Sequence, residues 1–404
     1  MISVEEALAR ILAAFAPLPS EQVALSQGLG RVLAEPVISR RTQPPTDVSA
    51  MDGYAVRAVD VETVPTTVRR VGESAAGGSY DQTVGEGEAV RIYTGAPVPD
   101  GADCIIIQED TDVDGDTITV KEAGVLGRHI RKAGLDFSEG DLGLSDGRVL
   151  GARDLGMAAA MNCPWLTVHR RPRVAILATG DEIVMPGDPV GPNQIVSSNS
   201  IALAGVVEAC GGEPVMLGIA PDDADALEVM TQGARGHDLL LTSGGVSVGD
   251  RDLVRQVLGK QGLDLDFWRV AIRPGKPLMF GVLENTPVLG LPGNPVSALV
   301  CAFVFMRPAI AVMLGADPAA LESVQNRRAR LAHPLPANNL RQDYMRARLD
   351  IDSDGALVAD TFEVQDSSML ALFAASDCLV IRPPMAPAAN AGDLVDVMLL
   401  PPGL

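Results

Sequence analysis

Asp238-Leu239-Leu240-Leu241-Thr242-Ser243-Gly244-Gly245 is an apolar run that ends on two hydroxyl residues and two glycines. A short continuous apolar run bounded by turn residues reads as a strand buried on both faces, the kind found in parallel sheets covered by helices. Asp252 to Leu258, behind it, has helix-like patterning. The surrounding chain repeats the scheme: Val174 to Ala178, Ser200 to Cys210, Val215 to Ile219, Ala224 to Ala234 and Val296 to Leu314 continue the alternation of strand and helix. Such alternation predicts right-handed βαβ crossovers and a mainly parallel sheet.

Four loops follow or punctuate these runs: Thr179-Gly180-Asp181-Glu182, Ser243 to Asp250, Arg273-Pro274-Gly275-Lys276-Pro277 and Leu291-Pro292-Gly293-Asn294-Pro295. At the carboxyl ends of strands in an open α/β sheet, glycine-rich turns let backbone N–H groups approach a phosphate. Lys276 adds a point charge, and Asp181, Glu182, Asp222, Asp250 and Asp252 add carboxylates. Phosphate-friendly loops that also carry carboxylates predict a phosphoester held through a hard divalent cation such as Mg²⁺.

Outward from this unit, Ser3 and Glu6 form a capping box for a first helix with Val4, Leu8, Ile11, Leu12 and Phe15 on one face, ended by Pro17 and Pro19. A second helix is predicted over about Glu21 to Leu33. Residues 40–139 carry short β-like runs, at Thr67 to Val71, Ala89 to Tyr93, Cys104 to Gln108 and Thr117 to Val120, separated by Gly and Asp clusters. This β-rich domain reads as an insertion into a helical element, because Ala152 to Met161 returns to helical composition. After Gly315 the β pattern resumes at Tyr344 to Ile351, Leu357 to Ala359, Leu379 to Ile381 and Leu394 to Leu399, a C-terminal barrel or small sandwich. The expected organisation is an α/β multidomain chain. An N-terminal helix (1–20) packs on the α/β domain (168–317), a linking region spans 21–39 and 140–167, the β-rich insertion covers 40–139, and a C-terminal β domain covers 322–404.

With 404 residues, the chain exceeds what one core usually organises. Its formal net charge of −20 argues against nucleic-acid binding, since a phosphate backbone is repelled by so acidic a surface. The amino-terminal residues lack a basic segment followed by an apolar core, and no apolar run reaches about 18 residues, so neither export nor a membrane span is expected and the cytoplasm is the expected compartment. Cys104, Cys163, Cys210, Cys301 and Cys378 are scattered and odd in number, which fits core residues better than a disulfide framework or thiolate zinc site.

Gly245-Val246-Ser247-Val248-Gly249 also matches the nucleophile elbow of hydrolases. A Ser-Asp-His triad in that order needs a later histidine, and only His333 follows, so Ser247 reads better as a hydroxyl in a phosphate loop. Single carboxylates have plainer readings: Asp222 as the N-cap of the helix after Pro221, Asp252 as the start of the helix from Leu253. Ser49 to Val56 puts Asp52 in a tight turn before a strand, and Arg91 to Pro97 ends a strand near Thr94; both segments pass as β-turns.

Pro44-Pro45 through Ser49-Ala50-Met51-Asp52-Gly53-Tyr54-Ala55-Val56, Arg91 to Pro97, Thr179 to Glu182, Ser243 to Asp250, Pro274 to Pro277 and Leu291 to Ser297, in that order and spacing, resemble the bacterial MoeA family of molybdopterin molybdenumtransferases, also found as the E domain of gephyrin. The resemblance covers essentially the whole chain. It implies the last step of molybdenum cofactor synthesis, in which molybdate enters the dithiolene of adenylylated molybdopterin and AMP is released with Mg²⁺. It further implies an elongated homodimer whose active sites are shared between subunits, with transient contacts to the molybdopterin adenylyltransferase and to downstream cofactor-accepting enzymes. By the same resemblance, Asp52, Thr94 and Asp136 are lent by the β-rich domain, and Glu182, Asp222 and Asp252 surround the adenylate, Asp222 and Asp252 as metal ligands. Arg273 and Lys276 lie near molybdate, with Arg346 and Ser367 from the C-terminal domain. Gly244, Gly245, Ser247, Gly249, Asp250, Gly275, Gly293, Asn294 and Ser297 fall within the matching loops as binding positions.

The chain departs from the family pattern with Arg273 where the turn commonly has Lys, Leu135 where Glu is common, Ser197 where Asp is frequent and Asp366 at a usual Gly position. Either Glu182 or Asp52 could orient the attacking water, and either Ser367 or Ser368 could supply the hydroxyl. Two other classes compete. The middle domain also resembles the single-domain adenylyltransferase, and gephyrin supplies the precedent for a scaffold.

Overall fold

The computed structural model describes residues 1–245, 253–319 and 326–400. At its centre a six-stranded sheet runs in the order Glu213–Ala220, Arg173–Thr179, Leu239–Ser243, Thr286–Leu291, Met279–Leu283, Leu263–Phe267. The first four strands are parallel and the last two are added antiparallel. Strand residues alternate between two cores. Val174, Ile176, Leu239, Leu241 and Leu289 face helices from the N-terminus, Asn199–Ala209 and Pro295–Met313, whereas Ala175, Leu177, Leu240 and Val288 face Ala224–Gln232 and Leu253–Lys260. Burial on both faces is why these strands are apolar throughout.

The chain first builds Arg173–Thr179, adds Glu213–Ala220 on one side, then crosses to place Leu239–Ser243 on the other. That reversal of direction opens a crevice at the carboxyl ends of the first and third strands, where Thr179 and Ser243 stand. Among the described residues one helix, Pro295–Met313, is long and apolar enough to cross a membrane, with mean hydropathy 2.1, but 94% of it is buried inside the protein as a core element. Arg307 interrupts its apolar run, which is why no run of about 18 residues shows in the sequence, and is itself 6% exposed.

The first helix, Val4–Ala13, is capped by Ser3, whose hydroxyl accepts from the Glu6 N–H at 3.0 Å, and buries Val4, Ala7 and Ile11 against the α/β core. The predicted helix over Glu21 to Leu33 is not there. Ser20–Ala24 is a strand paired antiparallel with Trp165–His169, followed by a short 3-10 turn at Leu25–Gln27. The alternative that wins is a long-range ladder, invisible to local helical patterning, which places Val23 in a small core with Leu33, Leu150 and Leu166. The linking region is accordingly only partly helical: the expected helix is present at Ala152–Ala160, beside the strand pair just described and a second one, Val37–Ile38 with Leu142–Leu144.

Between these strands lies a six-stranded sheet in the order Cys104–Ile107, Gly53–Val56, Glu88–Ile92, Thr66–Ser74, Thr117–Val120, Thr111–Asp114, with its own cores. At the other end, Asn326–Leu331, Gln342–Ile351, Leu357–Thr361, Cys378–Arg382 and Leu394–Leu399 close into a five-stranded barrel, which leaves no open edge. Between the barrel and sandwich readings of the sequence, the barrel is the one adopted. All five cysteines are free, and four are buried.

Candidate active site

A cleft of about 730 Å³ opens where the crevice was anticipated, walled by Glu182, Ser243, Gly244, Gly293, Asn294 and Ser297 from the α/β unit and by Ser368 and Leu370 from the barrel side. Gly244 and Gly245 adopt positive φ of 91° and 64°, which side-chain-bearing residues rarely occupy. A Cβ on Gly244 would stand 2.5 Å from the Thr179 carbonyl oxygen, and one on Gly245 would stand 2.7 Å from Thr179 Oγ1. The loop therefore presses its backbone against the neighbouring strand end, where neither position has room for a side chain. Ser247, Gly249, Asp250 and Asp252 lie outside the described residues, as does the start of the helix at Asp252.

Asn199 was not singled out from the sequence, yet it holds this wall together. Its Nδ2 donates to Ser243 Oγ at 2.9 Å and to the Gly293 carbonyl at 2.7 Å, fastening two binding loops from the first residue of a helix. Its only sequence signal was its place two residues after the Ser197 departure. Asn294 in turn donates to Ser367 Oγ at 2.9 Å, and the Val296 N–H donates to the Ser367 carbonyl at 3.1 Å, so the barrel loop is docked directly on the Pro-Gly-Asn-Pro turn.

The two serines differ. Ser368 donates its hydroxyl to Asp366 Oδ1 at 2.6 Å, with its N–H on the same oxygen at 2.8 Å, and these contacts hold the Asp366 carboxyl below the usual carboxylate range. Ser367 accepts from Asn294, which leaves its hydroxyl proton for another acceptor. Arg346 is 1% exposed and does not wall the cleft. Its guanidinium donates to Gln365 Oε1 and to the carbonyls of Met369 and Val364, bracing the loop that carries both serines. Burial lowers its pKa, with the Asp366 charge opposing.

On the turn Arg273 to Lys276, Gly275 is buried at φ 112° and its Cβ position is filled by Cys301. Arg273 pairs with Asp343 of the barrel. Lys276 is exposed, and among the described residues it has no ion-pair partner. Pro277 beside it lines the cleft, which brings the turn to the cleft wall.

Carboxylates gather at the ends of Arg173–Thr179 and Glu213–Ala220. The Asp222 N–H donates to Asp181 Oδ1 at 3.0 Å, and the Asp222 side chain is exposed. It does not cap the following helix: Asp223 does, accepting from the Ala226 N–H at 2.9 Å, because the cap falls one residue later than Pro221 suggested. Among the described residues no three His, Cys, Asp or Glu side chains are arranged to hold a metal. Mg²⁺ nonetheless fits what is present, since it keeps most of its waters and takes one or two carboxylates plus substrate phosphates.

Asp52, Thr94 and Asp136 sit in the β-rich unit, away from this cleft. Asp52 Oδ1 accepts the Thr94 N–H at 2.7 Å and the Thr94 hydroxyl at 2.8 Å. The N–H first, then the hydroxyl and the Arg91 charge, hold its carboxyl below the usual range. Because the folded value lies below the unfolded one, this pairing favours the fold at neutral pH and is lost as pH falls through the carboxylate range. Thr94→Val should return the Asp52 carboxyl part of the way up, since the N–H remains; NMR titration showing no movement would mean the hydroxyl does not hold the charge. Asp136 lines a second cleft of about 530 Å³ with Arg41, Arg131 and Gly95. His333, the one base open to a Ser247 triad, is exposed in the barrel, 3.5 Å from Asp360, and lines neither cleft.

Residues 2–162 match the MoeA N-terminal region (domains I and II), residues 175–312 a probable molybdopterin-binding domain, and residues 328–400 the MoeA C-terminal region (domain IV). The molybdopterin molybdenumtransferase of Haemophilus influenzae is 34% identical over 405 residues, 98% of each chain. Molybdopterin molybdenumtransferase 2 of Mycobacterium tuberculosis is 38% identical over 339 residues, 81% of this chain and 83% of its own. A molybdopterin biosynthesis MoeA protein from Pyrococcus horikoshii OT3 superposes with a TM-score of 0.84 at 28% identity, covering 99% of this chain and 100% of that one.

Proposed function

The chain belongs to the molybdopterin molybdenumtransferase family, and from that premise we propose that it inserts molybdate into adenylylated molybdopterin, releasing AMP, as the last step of molybdenum cofactor synthesis. The observation that carries this reading is the composition of one cleft: a glycine turn suited to phosphate, a wall residue, Pro277, next to a lysine with no ion-pair partner among the described residues, and a barrel loop with a free hydroxyl proton docked against it. Molybdate is a tetrahedral dianion, which Lys276, the remaining donors of Arg273 and the Ser367 hydroxyl can hold by charge-assisted hydrogen bonds. Arg346 serves by keeping the Ser367 loop in place.

Asp222, with Asp252, would hold Mg²⁺. When bound, the ion offsets charge on the phosphate oxygens. Gly244 and Gly245 seat the adenylate phosphate by backbone N–H groups, and Asn199 fixes the distance between that loop and Gly293. Glu182 lines the cleft and is the better candidate to orient water. Asp52, held strongly ionised by Thr94, is a poor proton acceptor near neutral pH and suits an electrostatic role. The placement of Asp52, Thr94 and Asp136 on a unit with separate cores supports a homodimer in which they complete the partner's cleft. Transient contacts with the adenylyltransferase and with cofactor-accepting enzymes, and a cytoplasmic location, belong to the same reading.

The product formed from adenylylated molybdopterin and molybdate should activate a molybdenum-free apoenzyme. A product that activates it only when ATP is supplied in place of the adenylylated substrate would point to the adenylyltransferase reading.

A further inference from the structure

We propose that Asp343 is a positioning residue for molybdate: from the barrel it grips one edge of the Arg273 guanidinium and turns the other donors toward the oxyanion. The inference rests on the molybdate reading of the Arg273 to Lys276 turn. Its geometry comes from a ladder joining two domains, in which Ile272–Arg273 pairs in parallel with Gln342 and Asp343, so that Arg273 and Asp343 face each other across the register. The Gln342 N–H donates to the Ala271 carbonyl at 2.8 Å, fixing the approach.

Asp343 is 2% exposed, and its Oδ2 accepts from Arg273 Nη2. Its other oxygen, Oδ1, is buried with no hydrogen-bond partner among the described residues. A carboxylate placed so deeply is costly unless its cation stays in place, and burial does push the Asp343 carboxyl up, with Arg273 first and then Arg341 and Arg382 opposing. The Arg273 side chain, by contrast, is 48% exposed. One nitrogen is committed to the barrel while about half of the side chain stays open to solvent, on the turn that runs to Pro277 in the cleft wall. A planar guanidinium can serve two acceptors at fixed angles in this way, whereas an ammonium on a flexible stem is not oriented by one contact.

The same strand, Gln342–Ile351, carries Arg346, which braces the Ser367 loop. Asp343 and Arg346 thus hold the two sides of one oxyanion pocket, Arg273 through a side-chain pair and Ser367 through loop carbonyls. Neither is required to touch molybdate. Pairing with Asp343 also moderates the turn's charge: Arg273 and Asp343 together are neutral, and Lys276 supplies the net positive charge there.

The test is a double-mutant cycle on AMP release with molybdate and adenylylated molybdopterin varied separately. Asp343→Asn should raise the molybdate concentration for half-maximal rate by about fivefold to thirtyfold, with turnover at saturating molybdate and half-saturation by adenylylated molybdopterin changed by less than about twofold. In an Arg273→Ala background the same substitution should add nothing to the molybdate effect, because the group it orients is gone. Asp343→Glu, which keeps the charge and displaces the grip, should show the same selective rise and serves if the asparagine variant does not fold. Equal weakening of both substrates, effects that multiply in the double variant, or an unchanged molybdate dependence would each overturn the proposal. A wild-type protein that released no AMP on adding molybdate would overturn the functional reading itself, and the proposal with it.

Discussion

Exchanging Lys276 for glutamine is expected to raise the molybdate concentration needed for half-maximal AMP release by about tenfold to a hundredfold, the loss of one charged hydrogen-bond partner worth about 1.5 to 3 kcal/mol in a partly desolvated pocket. The size of the effect follows from what else the turn offers. Arg273 gives one donor to Asp343, whereas Lys276 has no ion-pair partner among the described residues and stands next to Pro277 in the cleft wall. Gly275, at φ 112°, sets the turn that holds it there. Binding of adenylylated molybdopterin should change little, because in the proposed reading the phosphate is seated by the backbone of the glycine turn at Gly244. A Lys276→Gln protein with unaltered molybdate dependence would remove this residue from the oxyanion site.

Mixing Asp52→Ala with Lys276→Ala, each with little activity alone at a molybdate concentration that half-saturates the wild type, is expected to restore activity to about a quarter of the wild-type level once subunits exchange, since random pairing makes half the dimers mixed and each mixed dimer has one intact site. The expectation comes from the separation of the two halves of the machinery. Asp52 and Thr94 lie on a sheet with its own cores, divided from the α/β unit by the linking strands Ser20–Ala24 and Trp165–His169. Within one chain the cleft walls include Glu182, Ser243 and Asn294 but neither Asp52 nor Thr94. Demonstrated exchange without recovered turnover would place both residues in one subunit's site, or Asp52 outside it.

The α/β unit was readable because its strands are buried on both faces, so Leu239-Leu240-Leu241 announces a parallel strand without help from distant residues. Crevice position followed from topology, and Ser243, Gly244 and Asn294 do meet there. The failures have a common cause in long-range pairing. Ser20–Ala24 became a strand because Trp165–His169 was available to it, and nothing local encodes that partner. Asp223 displaced Asp222 as the helix cap by a single residue, within the usual uncertainty of helix ends. The tying roles of Asn199 and Arg346 were likewise hidden. Each depends on which carbonyls a folded chain brings within reach, Gly293 for one, Met369 and Val364 for the other. Ser367 and Ser368 are adjacent and chemically identical in the sequence, and they are told apart only by their partners, Asn294 and Asp366.

A single-turnover experiment tests the central claim most directly. Protein preloaded with adenylylated molybdopterin, with no ATP present, is mixed with molybdate, and AMP and dithiolene-bound molybdenum are followed together. Molybdenum transfer predicts that AMP appears when molybdate is added, with both products forming in equal amounts. AMP release at the same rate without molybdate, or molybdenum insertion with the adenylate left intact, would contradict it.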